Sequence, residues 1–337
     1  MNRKMMIPVL LAVLCLTALI SVCLGRYPLS LGDLGRFVGL RVSDLPVMDS
    51  RQYQIIKNIL IDIRLPRIAA AILIGSALSV SGAVFQSMFI NPLVSPGLLG
   101  VLAGASFGAA VGMILAKNWF VVQLGAFSFG LIAVLAAVAM SALNRGDRIL
   151  MLILGGIISG ALFTSLLSVV KYLADPYGQL PAIVYWLMGG LSSVDSMTVL
   201  TACGPIIAGI LILLFLSSHL NVLSMGDEEA RSLGLNVVFL RILFIFLATV
   251  ISALTVVMGG IIGWVGLLIP HIARMIVGPD NRLLLPASAL IGATYLLIAD
   301  DISRLLFNVE IPLGILTSLI GIPFFAFILR KAKKGWN

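Results

Sequence analysis

One stretch of the 337-residue sequence has the form of a catalytic motif: Gly104-Ala105-Ser106-Phe107-Gly108 fits Gly-x-Ser-x-Gly. That pattern presents a serine nucleophile for acyl transfer when it sits on a strand-to-helix turn beside a histidine and an acid. Here it lies inside an apolar run in which Gly100, Gly104, Gly108 and Gly112 recur every fourth residue. Such spacing puts all four on one helix face, where the missing side chains let a neighbouring backbone approach closely. The glycines are therefore read as a packing face, and no catalytic residue is expected. The two histidines, His219 and His271, stand 52 positions apart, which excludes a His-Glu-x-x-His zinc site. Cys15, Cys23 and Cys203 have no ligand spacing, so neither a metal nor another cofactor is expected. No lysine is followed by serine or threonine, so the chain has no Walker A loop for nucleotide phosphates.

Three polar features stand out. The stretch 218–236 holds Ser224-Met225-Gly226-Asp227, a capping box of the Ser-x-x-Asp form. Asp227, Glu228 and Glu229 then occupy a first helical turn, where acids complement the helix dipole. Ala230 and Arg231 follow, with Leu233-Gly234 as a natural stop. This is a short helix outside the membrane, either a solvated connector or a docking helix for a cytoplasmic partner. The second feature is Arg64-Leu65-Pro66-Arg67, with Arg304 at a corresponding span end. These arginines either snorkel to headgroups or form a basic outer rim for an acidic protein surface, since Arg pairs carboxylates bidentately. The third is Asn91-Pro92-Leu93-Val94-Ser95-Pro96-Gly97, whose two prolines and glycine forbid a continuous helix and suit a gate or a plain turn.

The elements that position these residues are membrane helices. Hydrophobic residues make up 60% of the chain and charged residues 11%, against about 25% charged in soluble domains. So little polar surface excludes a soluble particle, and singly scattered basic residues argue against nucleic-acid binding despite a net charge of +8. Apolar runs fall at 7–24, 68–90, 97–116, 119–143, 149–170, 197–218, 242–258, 261–277, 283–299 and 311–329. That gives ten transmembrane helices in one all-α domain, 1–337. The run 242–277 exceeds one crossing and is expected to turn at Gly259-Gly260. The stretch 177–190 is too short to cross and reads as interfacial or re-entrant. An even count puts both termini on one side. Arg3 and Lys4 at one end, with Arg330, Lys331, Lys333 and Lys334 at the other, mark that side as cytoplasmic. Segment 25–67 is then extracytoplasmic and 218–236 cytoplasmic. Asp62, Asp300 and Asp301 lie nearest to the membrane interior, with Arg64 and Arg304 close by. No carboxylate falls near a span centre, which argues against an ion-gradient-driven carrier.

The motifs above, with Ser81-Gly82-Ala83, Pro96-Gly97-Leu98-Leu99-Gly100-Val101, Trp186-Leu187-Met188-Gly189, Ala230-Arg231-Ser232-Leu233-Gly234, Gly266-Leu267-Leu268-Ile269-Pro270-His271-Ile272-Ala273-Arg274 and Ile311-Pro312-Leu313-Gly314, resemble the FecCD/BtuC-like family. These are permease subunits of bacterial ABC importers for iron–siderophore complexes, haem and cobalamin. The resemblance implies a homodimer of ten-helix subunits with the substrate pathway on the two-fold interface. It implies that Arg64, Arg67 and Arg304 receive carboxylates of a periplasmic or lipid-anchored binding protein. It further implies that the loop 219–236 seats in a groove of a cytoplasmic ATP-binding subunit dimer. Asn91, Pro92 and Leu93 then belong to a cytoplasmic gate. The family's second gate element falls at Asn144-Arg145-Gly146-Asp147-Arg148, which is charged, and no gate role is carried over to it. The expected location is a bacterial or archaeal cytoplasmic membrane. Iron–siderophore is the family's commonest cargo, with haem, cobalamin and molybdate-type oxyanions behind.

Overall fold

The computed structural model describes residues 5–42, 50–116, 118–143 and 148–332, and among them there is no β-strand. In chain order the helices are α1 (Met6–Cys23), α2 (Leu31–Val42), α3 (Ser50–Lys57), α4 (Leu65–Met88), α5 (Val101–Leu115), α6 (Trp119–Leu143), α7 (Arg148–Leu173) and α8 (Gln179–Leu187). They continue with α9 (Ser196–Phe215), α10 (Ser217–Leu223), α11 (Asp227–Ser232), α12 (Val237–Gly259), α13 (Val265–Val277), α14 (Asn281–Leu305) and α15 (Leu313–Ala332). Seven of the helical stretches are long and apolar enough to cross a membrane, and Val101–Leu115, Val265–Val277 and Leu313–Phe327 are shorter apolar helices. Together they make the ten expected membrane helices. Arg3, Lys4, Lys333, Lys334 and the loop residues 144–147 lie outside the described residues.

The boundaries differ from expectation in two places. The second membrane helix does not begin near residue 68. Arg51–Met88 is one helical stretch of 38 residues, about 57 Å at 1.5 Å per residue against a hydrocarbon core of about 30 Å. Its first turns therefore extend beyond one face of the hydrocarbon layer. A π-helical stretch, Asn58–Arg64, joins α3 to α4, and Leu65 N–H bonds to Leu60 O across it. This widened turn comes just before Pro66, which has no N–H to donate. α2 folds back on this projection. Leu29, Phe37, Ile56 and Leu60 bury one another there, and Tyr53 stacks on Phe37 with ring centroids 5.3 Å apart.

The second difference is at the expected turn Gly259-Gly260. The chain does not reverse in two residues. It leaves α12 at Gly259 and stays unwound until Val265, with positive φ at Gly260 (65°) and at Trp264 (69°). α13 is consequently a 13-residue helix of about 20 Å. α8, at nine residues, is as short as the sequence indicated.

α4 is the axis of the bundle, buried along nearly its whole length, with α12, α13 and α14 packed around it. Backbone touches backbone at these crossings. A Cβ on Gly75 would overlap the carbonyl of Gly292, and one on Gly82 the carbonyl of Gly266. Gly104, Gly108 and Gly112 meet α6 in the same way, with Gly108 and Gly125 face to face. Gly100 is an exception to the four-residue stripe. It precedes α5 at φ 85° as the end of a 3-10 turn, Pro96–Leu99, and abuts Gly160 of α7. Overpacking a well-filled interior costs about 1–3 kcal/mol even where side chains can shift, and here the obstacle is backbone. Gly82→Val is therefore expected to abolish a monodisperse peak in detergent chromatography, whereas Gly204→Ala, with open space around it, leaves it unchanged. A normal peak for Gly82→Val would contradict this packing.

Candidate functional site at the two ends of the bundle

At the end of the bundle expected to lie outside, the three arginines converge, but not as an exposed rim. Arg64, Arg67 and Arg304 are only 3%, 8% and 7% exposed. Arg67 donates Nε and Nη2 to Asp300 at 2.9–3.0 Å, and Nη1 and Nη2 to Glu310 at 3.1 and 3.0 Å. Arg304 pairs with Asp301 and donates to Ser21 Oγ at 2.9 Å and to Leu24 O at 3.0 Å. Arg64 donates to the carbonyls of Val22, Cys23 and Tyr27. Ser21 in turn donates to Asp301 at 2.7 Å. The physical reason for the inward turn is that partners are supplied from within. Asp300 and Asp301 lie one turn before Arg304, and the end of α1 leaves unpaired carbonyls. Three cations and three carboxylates thus tie α1, α4 and α14 together. The sequence marks Asp300 and Asp301 but not Glu310 or Ser21; the one local signal for Glu310 is its place between Arg304 and Pro312.

Beside this cluster lies a cavity of about 670 Å³ whose wall includes Arg67, Glu310, Trp119, Tyr185 and Trp186. The unwound stretch 188–190 meets the end of α12 and the start of α15 beside it. Gly190 N–H bonds to Gly259 O at 2.8 Å, Leu313 N–H to Gly189 O at 2.9 Å, and Gly314 N–H to Met188 O at 3.0 Å. Irregular backbone at membrane depth is tolerated where it is buried in protein or lines a cavity, and these segments do both. A Cβ on Gly189, Gly260 or Gly314 would strike a carbonyl of a neighbouring segment.

At the inner end the polar loop forms two short helices, α10 and α11. Ser224 is not the cap of α11: its hydroxyl donates to Asn221 O at 2.7 Å and closes α10. Gly226, at φ 127°, holds the N-cap position with no side-chain bond. Asp227 leans back to Arg241 on α12, with Arg231 4.0 Å away. Ala230 is buried, while Met225, Glu228, Glu229, Arg231 and Leu233 are exposed. Gly234 ends α11 at φ 78°. Its N–H reaches Arg231 O at 2.9 Å and Leu235 N–H reaches Ala230 O at 3.1 Å, the Schellman pattern. The result is a firmly seated helix showing acids and two large apolar side chains to solvent.

The turn after α4 is nearby. Asn91 Oδ1 accepts from Leu93 N–H at 2.9 Å, an Asx turn. Leu93 and Pro92 are exposed. Ile90, at φ 50°, holds a left-handed conformation that β-branched residues rarely adopt, which no residue-type signal announces. Ser106, by contrast, is a helical residue bonded to Leu102 O at 2.6 Å. It sits on no strand-to-helix turn.

Comparison with known proteins agrees with this geometry. A family model described as the FecCD transport family matches residues 11–331. The molybdate import system permease protein MolB of Haemophilus influenzae is 40% identical over 323 residues, 96% of this chain and 94% of that one. A probable iron chelatin transport system permease protein of Helicobacter pylori is 40% identical over 277 residues, covering 82% and 83%. A solved structure described as the inward-facing conformation of a metal-chelate type ABC transporter superposes with a TM-score of 0.87 at 37% identity, over 97% and 99% of the two chains.

Breaking a buried ion pair by removing one partner costs about 3–5 kcal/mol, because the other charge is left uncompensated. Arg67→Met is expected to lose about that much stability in thermal unfolding of the detergent-solubilised protein, and Arg67→Met with Asp300→Leu to recover part of it. A single variant as stable as the native chain would contradict the clamp.

Proposed function

The chain belongs to the FecCD transport family and is a membrane permease subunit of an ABC importer, and from that premise we propose how its two ends work. It is not itself an enzyme, since ATP is hydrolysed by a separate subunit. α11 is the element that seats in the ATP-binding partner. The supporting observation is its construction: a helix capped by Gly234, anchored through Asp227–Arg241, with Met225, Glu228, Glu229 and Leu233 outward. Closure of the ATPase dimer moves α11, and the bundle rocks on its glycine contacts between outward and inward states, opening the turn at Asn91–Leu93.

Two copies form the conduit. α7 and α15 carry broad exposed apolar faces, among them Ile157, Leu162, Leu319 and Phe327, and a second copy of this chain would cover them. Both termini then face the cytoplasm. The cargo is an iron–siderophore complex, handed over by a binding protein that supplies the affinity. A molybdate-type oxyanion is the second reading, favoured by the relative named for molybdate.

The binding protein docks at the outer arginine cluster by carboxylate exchange. Its acids take the place of Glu310, whose side chain is the most accessible of the internal carboxylates at 29%. Glu310→Gln is expected to tighten docking of the cognate binding protein by about threefold to tenfold in surface plasmon resonance, and unchanged or weaker binding would contradict exchange.

Gly234→Val tests the inner end. A Cβ there meets open space, so the substitution acts through the left-handed backbone alone, at about 1–2 kcal/mol. The assembled complex is expected to hydrolyse ATP while moving less cargo per ATP. Full coupling in this variant would refute the role given to α11.

A further inference from the structure

Asn221, on α10, makes two bonds that lead away from the partner-facing helix. Its Nδ2 donates to Asp280 Oδ1 at 2.6 Å, and its Oδ1 accepts from Asn281 N–H at 2.8 Å. Asp280 is the N-cap of α14, accepting from Arg282 N–H at 3.0 Å, and the Asn221 amide is the first cause holding its carboxyl below the usual range. Were this only a cap, the contacts would stop at the first turn of α14. They continue instead. The Asn281 side chain, 1% exposed, accepts from Ser87 Oγ at 2.8 Å. Ser87 is in the last turn of α4, three residues before the left-handed Ile90 and four before Asn91. Its neighbour Gln86 is held separately, donating to Leu267 O at 3.1 Å and accepting from Arg274 at 3.2 Å. The inner end of α4 is thus fixed by side-chain bonds on two sides, and only one of them leads back to the partner-facing loop.

We propose that Asn221, Asn281 and Ser87 form a strut that carries displacement of α10–α11 to the turn at Ile90–Leu93. Asn281 and Ser87 are positioning residues that set when this turn moves. The strut rests on the importer reading above. It adds to that reading a specific path: of the helices packed around α4, α14 transmits through a buried residue, Asn281, whose backbone N–H bonds to Asn221 and whose side chain accepts from Ser87. α12 is tied to α11 through Asp227–Arg241. The Arg274 contact holds α4 to α13, and neither contact involves α10.

The test uses the permease dimer in nanodiscs with its ATP-binding subunits, in a background lacking Cys15, Cys23 and Cys203. A spin label at Leu93→Cys, an exposed position, reports the distance between the two turns before and after trapping with ATP and vanadate. Native chains are expected to show a nucleotide-dependent change in distance. Asn281→Ala should cut that change to less than about half while ATP hydrolysis stays within about twofold, the scale of coupling losses along such networks. Ser87→Ala, which removes the same bond from the other partner, should cut the change to the same extent, and a full change in it would likewise overturn the strut. A full change in Asn281→Ala overturns the strut and leaves the importer reading standing. No change in the native chain, with ATP hydrolysed, overturns both.

Discussion

An amide left unpaired in hydrocarbon costs several kcal/mol, and three helix ends of this chain meet at the cavity: the end of α8, the end of α12 and the start of α15. These ends are stable because they meet: residues 188–190 bond backbone to backbone with Gly259 on one side and with Leu313 and Gly314 on the other. Glycines at 189, 260 and 314 make the approach possible, since a Cβ at any of them would strike a facing carbonyl. α8, the shortened α13 and the start of α15 all take their positions from this junction, and the 670 Å³ cavity opens against it. The same economy of side chains recurs where α4 crosses α13 and α14, at Gly82–Gly266 and Gly75–Gly292. Contacts of this kind fix distance firmly and direction weakly, which suits helices that tilt against one another.

Charge is confined to the two ends, and each end has a distinct character. At one end, arginines and carboxylates neutralise one another within the fold and hold α1 against α4 and α14. At the other, acids and apolar side chains of α11 face solvent from a helix whose base is pinned. Between them α4 is lined by serines, threonines and glycines. Ser81, for example, accepts from Ser252 at 2.9 Å. A span interior of this composition offers hydrogen bonds, and α4 itself carries no acidic residue.

The ten spans were legible because apolar runs of the right length have few alternatives in a chain this poor in charge. α8 was legible for the same reason, being too short. The convergence of Arg64, Arg67 and Arg304 was also legible, yet their inward orientation was not. It depends on Asp300 and Glu310, more than 230 positions from Arg67, and on carbonyls of α1 that no side-chain pattern reveals. The unwound stretch before α13 was hidden because Ile261, Ile262 and Trp264 continue the apolar run; a positive φ at Trp264 leaves no trace in residue type. Ser224 misled in the opposite way. The Ser-x-x-Asp spacing is real, but the serine serves the preceding helix, so α11 takes its N-cap at Gly226 instead.

The central claim is that this chain moves only when driven by partners at its two faces. The most direct measurement is cargo accumulation in proteoliposomes containing the permease dimer alone, with a proton or sodium gradient imposed and labelled ferric siderophore or molybdate outside. No uphill accumulation is expected until the ATP-binding subunits, ATP and the binding protein are supplied. Sustained accumulation by the permease on its own would contradict the claim.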